Sequence, residues 1–421
     1  MGGLERQTTI YRGGVSGLRP KVPTDAQQLE KRARRKMGRD AFAYVAAGAG
    51  SGDSVAGNRR SLDRWRIVPR MLRDVSERDT SIELFGRRHS VPFLLAPIGV
   101  LQLAHRDADR AVARAARSTG VGMVMSSQAS TPMEDISGLL GDGPRWFQLY
   151  WSTSDELVES FVARAERCGA EAIVVTLDTT ILGWRPYDLD RAFLPFLRGW
   201  GIAQYTSDPV FRRLIAEDPH GRDPDQEPKP NLRALQTLLR VARSYPDGFV
   251  RGLRTGLARA AVQHFVQIYS RPSLTWDDLP FLRERTRLPI LLKGILHPDD
   301  ARRAVEAGMD GVVVSNHGGR QVDGSIATVD ALPAVVEAVD GRIPVILDSG
   351  VRGGADVFRA LALGASAVLL GRPYVYGLGI AGQEGVEEVI RNFVADFDLT
   401  MGLAGCRSVG EIGREALVRV D

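Results

Sequence analysis

The chain contains little cysteine and histidine, the residues that most often form disulfides and bind transition metals. Its 421 residues include two cysteines and six histidines. Cys168 and Cys406 lie far apart in no redox or zinc spacing, and no two histidines have the spacing of metal ligands on one helix. We therefore expect no disulfide framework and no metal site, and we expect a cytoplasmic protein.

Long apolar runs and clustered positive charge are also missing. No segment reaches the roughly 20 apolar residues that a membrane-spanning helix needs, and the first residues lack the pattern of a secretory signal. The net charge of +4 is spread along the chain, apart from one short basic run over residues 31–36. Such a run is typical of a solvated helix face or a subunit contact. The composition predicts neither a nucleic-acid partner nor a membrane partner.

Eight short apolar segments have the length and composition of buried strands. They are Pro92 to Ala96, Val121 to Met125, Arg145 to Leu149, Ala172 to Leu177, Pro289 to Lys293, Gly311 to Ser315, Ile343 to Asp348 and Ser366 to Leu370. Segments of helical period, such as Asp107 to Ser118, separate most of them. This alternation predicts an α/β fold, a (β/α)₈ TIM barrel, with a doubly wound parallel sheet as the alternative.

The organisation along the chain predicts a single domain over residues 1–421. Residues 1–91 read as an N-terminal helical segment and residues 92–421 as the barrel. The interval between the fourth and fifth strands is far longer than an ordinary connection, which indicates a lid insertion over residues 186–262. Its first part is aromatic, with Phe193 and Trp200, and its middle from Glu217 to Pro224 is polar and proline-rich. A membrane-contacting patch is the less favoured alternative, because charges interrupt the apolar residues.

Polar side chains that suit the handling of an organic anion follow several predicted strands. They are Tyr150, Asp178, Arg185, Lys293, His317 and Arg320. In a barrel these strand ends converge on one pocket. His317 can accept a proton near neutral pH, while Arg320 on the same turn can bind a carboxylate through two hydrogen bonds. A small hydroxy acid suits this pair.

The loops after the seventh and eighth strands indicate a phosphate site. Residues 348–354 and 371–373 are glycine-rich and contain Arg352 and Arg372. Barrels often bind phosphate at these two loops, through backbone amides and cationic side chains. The pattern therefore predicts a phosphorylated cofactor.

Several separate motifs together resemble those of the FMN-dependent α-hydroxy acid oxidases and dehydrogenases. They are Phe42-Ala43-Tyr44, Ala96-Pro97-Ile98-Gly99, Ser126-Ser127, Gln148-Leu149-Tyr150, Thr176-Leu177-Asp178-Thr179, Leu292-Lys293-Gly294, the run from Ser315 to Asp323 and Asp348-Ser349-Gly350-Val351-Arg352. The resemblance runs from about residue 41 to residue 410, and the inserted lid and the termini fall outside it. It implies that FMN is the cofactor and that the substrates are a small 2-hydroxy acid and O₂.

The resemblance also implies roles for individual residues. His317 would be the base, held by Asp178, with Arg185, Arg320 and Tyr44 on the substrate carboxylate and Tyr150 on its hydroxyl. Lys293 would stabilise the negative charge that develops on the reduced flavin. The remaining cofactor contacts would come from Pro97, Ile98 and Gly99 at the flavin face, Ser126, Gln148, Thr176 and Ser315 near its edge, and Asp348, Ser349, Gly350, Arg352, Gly371 and Arg372 at the ribityl phosphate.

Two features favour the lactate 2-monooxygenase branch of this family. Gly99 leaves room near the flavin, and the long lid beginning at Leu182 resembles that branch. The reading is oxidation of L-lactate by O₂, with retained pyruvate decarboxylated by peroxide to acetate, CO₂ and water. Gln128 stands where glycolate oxidases often carry tryptophan. An oxidase that releases its keto acid and H₂O₂, including one for a bulkier hydroxy acid such as mandelate, is therefore an alternative. A quinone-linked dehydrogenase and a non-catalytic flavin-binding barrel are further alternatives, and the family implies a homo-oligomer, a tetramer or octamer.

Overall fold

The described part of the chain is built around a closed barrel of eight parallel strands. The structure is a computed structural model that describes residues 2–217, 239, 241, 248 and 257–421. The barrel strands are β1 (Phe93–Leu95), β2 (Met123–Ser126), β3 (Arg145–Leu149), β4 (Ile173–Thr176), β5 (Ile290–Ile295), β6 (Gly311–Val314), β7 (Val345–Asp348) and β8 (Ala367–Leu370). Each strand pairs with the next, and β8 closes on β1. This order confirms the predicted barrel and excludes the doubly wound sheet, which is open.

Helices surround the barrel and bury the outward faces of its strands. They are Ala108–Thr119, Met133–Leu140, Asp155–Arg167, Leu279–Arg285, Pro298–Glu306, Thr328–Val339, Gly354–Ala362 and Arg372–Leu403, the last of which is bent at Ala381 and Gly382. Outward apolar side chains such as Phe147 and Val312 pack with these helices in one continuous core. None of the helices in the described ranges has both the length and the apolar character needed to cross a membrane.

The segment before the barrel is mainly helical, as predicted. Its helices are Gly3–Val15, Ala26–Lys36, Arg39–Ala46 and Asp53–Asp63. Two strand pairs that the sequence patterns did not indicate follow them: Trp65–Ile67 pairs with Leu417–Arg419, and Ile82–Leu84 forms a hairpin with Arg87–His89. Leu84 and Phe85 of this hairpin pack against the apolar side chains inside the barrel and cover its lower end.

A long insertion separates β4 from β5, in agreement with the predicted lid. Its described elements are the helices Pro186–Leu189, Ala203–Thr206, Pro209–Glu217 and Leu257–Ile268 and the 3₁₀ turns Pro195–Arg198 and Trp276–Asp278. The predicted polar, proline-rich middle lies outside the described residues from residue 218 onward. Further 3₁₀ turns at Leu101–Leu103, Val409–Glu411 and Arg414–Ala416 complete the described elements.

Strand alternation sorts the side chains inside the barrel into an apolar layer and a polar layer. The lower, apolar layer includes Leu94, Val124, Trp146, Val174, Leu291, Val313, Ile346 and Leu369. Successive side chains of a strand point to opposite faces, so the residue two positions later points inward again. The polar layer one step higher is Ser126, Gln148, Thr176, Lys293, Ser315 and Asp348, all of them buried. This layer forms the floor of the candidate site at the carboxyl ends of the strands.

Candidate active site

A cavity opens above the polar layer, at the carboxyl ends of the barrel strands. The predicted site residues that line it are Tyr44, Pro97, Ile98, Gly99, Gln148, Tyr150, Thr176, Arg185, Lys293, His317, Arg320, Asp348, Ser349, Gly350, Arg352, Gly371 and Arg372. Asp178, Ser126 and Ser315 do not line the cavity, but each bonds to a residue that does. The structure thus brings the predicted set to one place.

His317 lies on a sharply turned loop directly after β6. Its φ of 56° is in the left-handed region, and Gly318 and Gly319 continue the turn with φ of 66° and 76°. Non-glycine residues rarely adopt such a conformation, and it is often found at functional sites. The Ser315 hydroxyl accepts a bond from the His317 backbone N–H at 3.0 Å, which fixes the start of the turn.

The imidazole of His317 is oriented by two side chains that follow β4. Its Nδ1 lies 2.6 Å from Asp178 Oδ1 and 3.1 Å from the hydroxyl of Thr179. An ionised carboxylate accepts hydrogen bonds and cannot donate them, so Nδ1 carries the proton and Nε2 keeps its lone pair. Asp178 packs closely on Gly294, where a Cβ would lie 2.8 Å from Asp178 Cβ. The pair therefore presents a base at Nε2.

The charges around the pair keep His317 neutral and Asp178 ionised. Burial is the largest single effect on the pKa of His317, and together with the cations Lys293 and Arg185 it lowers this pKa below its usual value, although Asp178 acts to raise it. Burial alone would raise the pKa of Asp178, but His317 and Lys293 hold it well below its usual range. A neutral imidazole beside a carboxylate can accept a proton at neutral pH.

Arg185, which is buried, and Arg320, which is half-buried, form a pair of cations at the same end of the cavity. Arg185 donates from Nε to the Arg320 carbonyl at 3.0 Å, and Arg320 donates from Nη1 to the Ala47 carbonyl at 2.9 Å. The Arg320 guanidinium also lies over the ring of Tyr44, 4.9 Å from its centroid. Loss of water around the guanidinium, reinforced by the charge of Arg185, lowers the pKa of Arg320 to about 9. Two adjacent cations with little access to water favour an anion between them.

The other end of the cavity is also cationic. Arg372 donates to the carbonyls of Gly318, Val45 and Ala47 at 2.9–3.1 Å. Burial lowers the pKa of Arg352 to about 10, and the charge of Arg372 adds to the effect. Arg352 remains protonated at neutral pH. The two arginines lie in the loops after β7 and β8, where the sequence predicts a phosphate.

The polar floor offers donors and acceptors that suit the edge of a flavin. The side-chain amide oxygen of Gln148, Oε1, accepts bonds from the Ser126 hydroxyl and the Ser127 backbone N–H, both at 3.2 Å. Gln148 Nε2 and Thr176 Oγ1 are buried and have no hydrogen-bond partner within the described residues. Buried polar atoms are almost always bonded, so both atoms indicate a polar ligand here.

Lys293 adds a fixed cation to this floor, between Ser315 Oγ at 2.9 Å and Asp348 Oδ2 at 3.3 Å. Burial disfavours its charge, yet Asp178 and Asp348 raise its pKa above the usual value. Floor and arginines together fit FMN. In contrast, no three histidine, cysteine or acidic side chains of the described ranges are arranged to hold a metal ion.

Tyr269 is a cavity residue that the sequence analysis missed. It directly follows the helix Leu257–Ile268, and its ring stacks on those of Phe265 and Phe196 at 5.1 and 6.4 Å. Phe196 and Leu182 of the insertion line the same side of the cavity. No pattern in the sequence relates the two ends of an insertion. Thr179 belongs to a motif that the sequence analysis quoted, but its contact with His317 was not predicted.

The structure gives a different reason for the glycine at position 99 than open space at the flavin. A Cβ at Gly99 would lie 2.8 Å from Gln128 Cβ and 3.0 Å from the Gln128 carbonyl oxygen. Real Cβ atoms essentially never approach another atom to 2.8 Å. The glycine therefore allows Gln128 to lie close to the β1 loop, where it forms part of the cavity wall.

Comparisons with known proteins agree with this site. A family model described as FMN-dependent dehydrogenase matches residues 33–419. The chain is 41% identical over 416 residues to an FMN-dependent alpha-hydroxy acid dehydrogenase of Penicillium citrinum, covering 99% of this chain and 96% of that one. It is 40% identical over 393 residues to an L-lactate oxidase of Lysinibacillus sphaericus, covering 93% and 92%. A structure of mandelate oxidase with (S)-4-hydroxymandelic acid matches with a TM-score of 0.76 and 36% identity, covering 94% and 98%.

A closed barrel whose polar floor and arginines fit FMN is consistent with the class of flavin-dependent oxidoreductases. The chain belongs to the family of FMN-dependent dehydrogenases, which confirms the resemblance inferred from its motifs. Its cofactor is FMN, and it oxidises α-hydroxy acids.

Proposed function

We propose that this enzyme is a lactate 2-monooxygenase, which converts L-lactate and O₂ to acetate, CO₂ and water. One observation carries the choice of a hydroxy acid as substrate: His317, which is bonded to Asp178, lines the same cavity as Arg185 and Arg320. A carboxylate between the two arginines brings the neighbouring hydroxyl-bearing carbon towards His317 Nε2. Arg185 and Arg320 form no ion pair with an acidic side chain of the described residues. A bound carboxylate would therefore neutralise two cations that have no anionic partner.

In the proposed reaction, the protein binds, orients and deprotonates the substrate. Arg185 and Arg320 hold its carboxylate, and Tyr44 and Tyr150 line the cavity beside them. His317 takes a proton at Nε2, and Asp178 stabilises the imidazolium that results. FMN, when bound, would supply the redox chemistry: the substrate loses two electrons and two protons in all, one of them by way of His317, and these reduce O₂ to H₂O₂. Lys293 supplies a positive charge at the floor, where negative charge develops.

The second half of the proposal is that pyruvate stays in the cavity long enough to react. H₂O₂ and pyruvate give acetate, CO₂ and water, so that lactate and O₂ balance acetate, CO₂ and water overall. Leu182, Phe196 and Tyr269 of the insertion cover one side of the cavity, which supports slow product release. The similarity to an L-lactate oxidase supports lactate as the substrate.

A bulkier hydroxy acid such as a mandelate is the second candidate substrate. Similar proteins include a 4-hydroxymandelate oxidase of Amycolatopsis orientalis, 36% identical over 386 residues. The aromatic rings of Phe196 and Tyr269 in the cavity wall favour this candidate, because they suit contact with a phenyl group. In that reaction the enzyme releases the keto acid and H₂O₂ and is an oxidase.

Product analysis with a substrate panel tests the proposal. Purified holoenzyme is mixed with L-lactate, glycolate or (S)-mandelate in air, and acetate, keto acid and H₂O₂ are measured. Acetate from L-lactate in the amount of O₂ consumed, without free H₂O₂, is the expected result. Pyruvate with an equal amount of H₂O₂ contradicts the monooxygenase and supports an oxidase, and faster turnover of mandelate supports the bulkier substrate.

A further inference from the structure

Gln321 bonds the loop after β6, which contains His317 and Arg320, to the loop after β4, which contains Arg185. It lies in the loop after β6, four residues beyond His317. Its Nε2 donates to the carbonyls of Asp178 at 2.7 Å and Ile181 at 2.9 Å, both in the loop after β4. Its Oε1 accepts a bond from Arg185 Nη2 at 2.6 Å. One amide thus bonds to the start, middle and end of the β4 loop.

The packing of these loops leaves Arg185 dependent on the loop after β6. Its described hydrogen bonds go to Gln321 Oε1 and to the Arg320 carbonyl, both in that loop. Gly183 lies against the same backbone, where a Cβ would be 2.6 Å from the Gln321 carbonyl oxygen. Gln321 itself does not line the cavity. Any effect of its side chain on substrate must therefore act through its neighbours.

We propose that Gln321 is a positioning residue that orients Arg185 towards the substrate carboxylate and holds it in register with the His317–Asp178 pair. The inference rests on the proposed function, because it requires a carboxylate ligand at Arg185. An amide is needed here, since one side chain must accept from a guanidinium and donate to two carbonyls at once. Methionine has nearly the same shape but provides neither group.

A double-mutant cycle on product binding tests this role. Four holoenzymes are compared: wild type, Gln321→Met, Arg185→Met and the double variant. The dissociation constants of pyruvate and phenylglyoxylate are measured by isothermal calorimetry and by the change in flavin absorbance, with FMN content and melting temperature as checks on folding. We expect Gln321→Met to weaken keto acid binding by roughly 10- to 100-fold in the wild-type background, and by less than about threefold when Arg185 is already methionine.

A matched control comes from Gln383 in the helix Arg372–Leu403. Its Oε1 likewise accepts from an arginine, Arg114, at 3.0 Å, and neither residue lines the cavity. Gln383→Met should leave keto acid binding within about twofold. If Gln321→Met does not retain FMN, Gln321→Leu replaces it in the cycle. Leucine is uncharged and also lacks the amide, so its effect should likewise vanish in the Arg185→Met background.

The outcomes separate the inference from the function on which it rests. Equal losses of affinity in both Arg185 backgrounds, or unchanged affinity in the Gln321 variant, contradict the positioning role alone. A wild-type enzyme that binds no keto acid contradicts both the role and the proposed function. A loss of keto acid affinity in Gln321→Met that largely disappears in the Arg185→Met background supports the inference.

Discussion

At the scale of single residues, the proposed base His317 has an unusual backbone conformation. We predict that His317→Ala lowers the rate of flavin reduction by about 10²- to 10⁴-fold, because the proton acceptor is lost. Asparagine tolerates a φ of 56° better than alanine, so His317→Asn removes the base with less backbone strain. Anaerobic stopped-flow absorbance measures the rate. Reduction at the wild-type rate in the asparagine variant, with FMN bound, would rule out His317 as the base.

The lowered pKa of His317 predicts the pH dependence of the same step. A base must be neutral to act, so the rate falls as pH drops through its pKa and is constant above it. Because burial and nearby cations place that pKa below the usual value of about 6.5, we expect a constant rate of reduction at and above neutral pH. Stopped-flow measurements from pH 4.5 to 9 test this. A rate that still rises above pH 7 is the opposing result.

Arg320 illustrates why one cation cannot replace another at this site. Its Nη1 already binds the carbonyls of Tyr44 and Ala47, and its planar group lies over the Tyr44 ring. Lysine keeps the charge but lacks the planar guanidinium that can donate two parallel hydrogen bonds to a carboxylate. Arg320→Lys should therefore weaken substrate binding by roughly 1–3 kcal/mol. The dependence of the reduction rate on hydroxy acid concentration gives the dissociation constant. Wild-type affinity in this variant would argue against binding of the substrate carboxylate by Arg320.

Gly99 and Gln128 should act as a pair on product release. We predict that Gly99→Ala shifts the products from acetate towards pyruvate and H₂O₂, because the methyl group pushes Gln128 out of the cavity wall. Gln128→Ala, which shortens the wall without a clash, should shift them in the same direction. The ratio of acetate to pyruvate in air measures both effects. An unchanged ratio in both variants would remove this contact from the account of product retention.

At the scale of elements, we expect substitutions in the loops after β7 and β8 to affect FMN affinity more than the rate of substrate oxidation. Arg352 has a lowered pKa and bonds to the Val351 carbonyl at 2.9 Å, a weak partner for a buried cation. We predict that Arg352→Gln weakens FMN binding by about 1.5–3 kcal/mol, or roughly 10- to 150-fold. Fluorescence titration of apoprotein with FMN gives the constant, and riboflavin, which lacks phosphate, is the control. Equal losses for FMN and riboflavin would contradict a phosphate contact.

The strands and their inward faces could be predicted from the sequence, whereas contacts between loops could not. Alternation within an apolar run places Gln148 two residues after Trp146 and Lys293 two residues after Leu291, so the floor follows from local pattern. Tyr269 and Gln321 depend on how loops distant in sequence pack together, and no local period encodes that packing. The clash that requires glycine at position 99 likewise depends on how the loop that contains Gln128 packs against the loop after β1.

At the scale of the whole molecule, the closed barrel explains why residues from Tyr44 to Arg372 share one cavity. Eight parallel strands direct their carboxyl ends to the same face, and the N-terminal segment and the insertion add side chains from outside the barrel. Motifs that are distant in sequence therefore function as one site. We expect the choice between lactate and a bulkier acid to depend on the insertion. Local sequence patterns predict the structure of this region less well than that of the barrel strands.

Anaerobic mixing of the holoenzyme with L-lactate, followed by absorbance at the oxidised flavin band, tests the central claim most directly. The account predicts rapid bleaching in the wild type at neutral pH and bleaching slowed by at least about 100-fold in His317→Asn. A wild-type flavin that stays oxidised with L-lactate and with (S)-mandelate would contradict the claim that this cavity oxidises such 2-hydroxy acids.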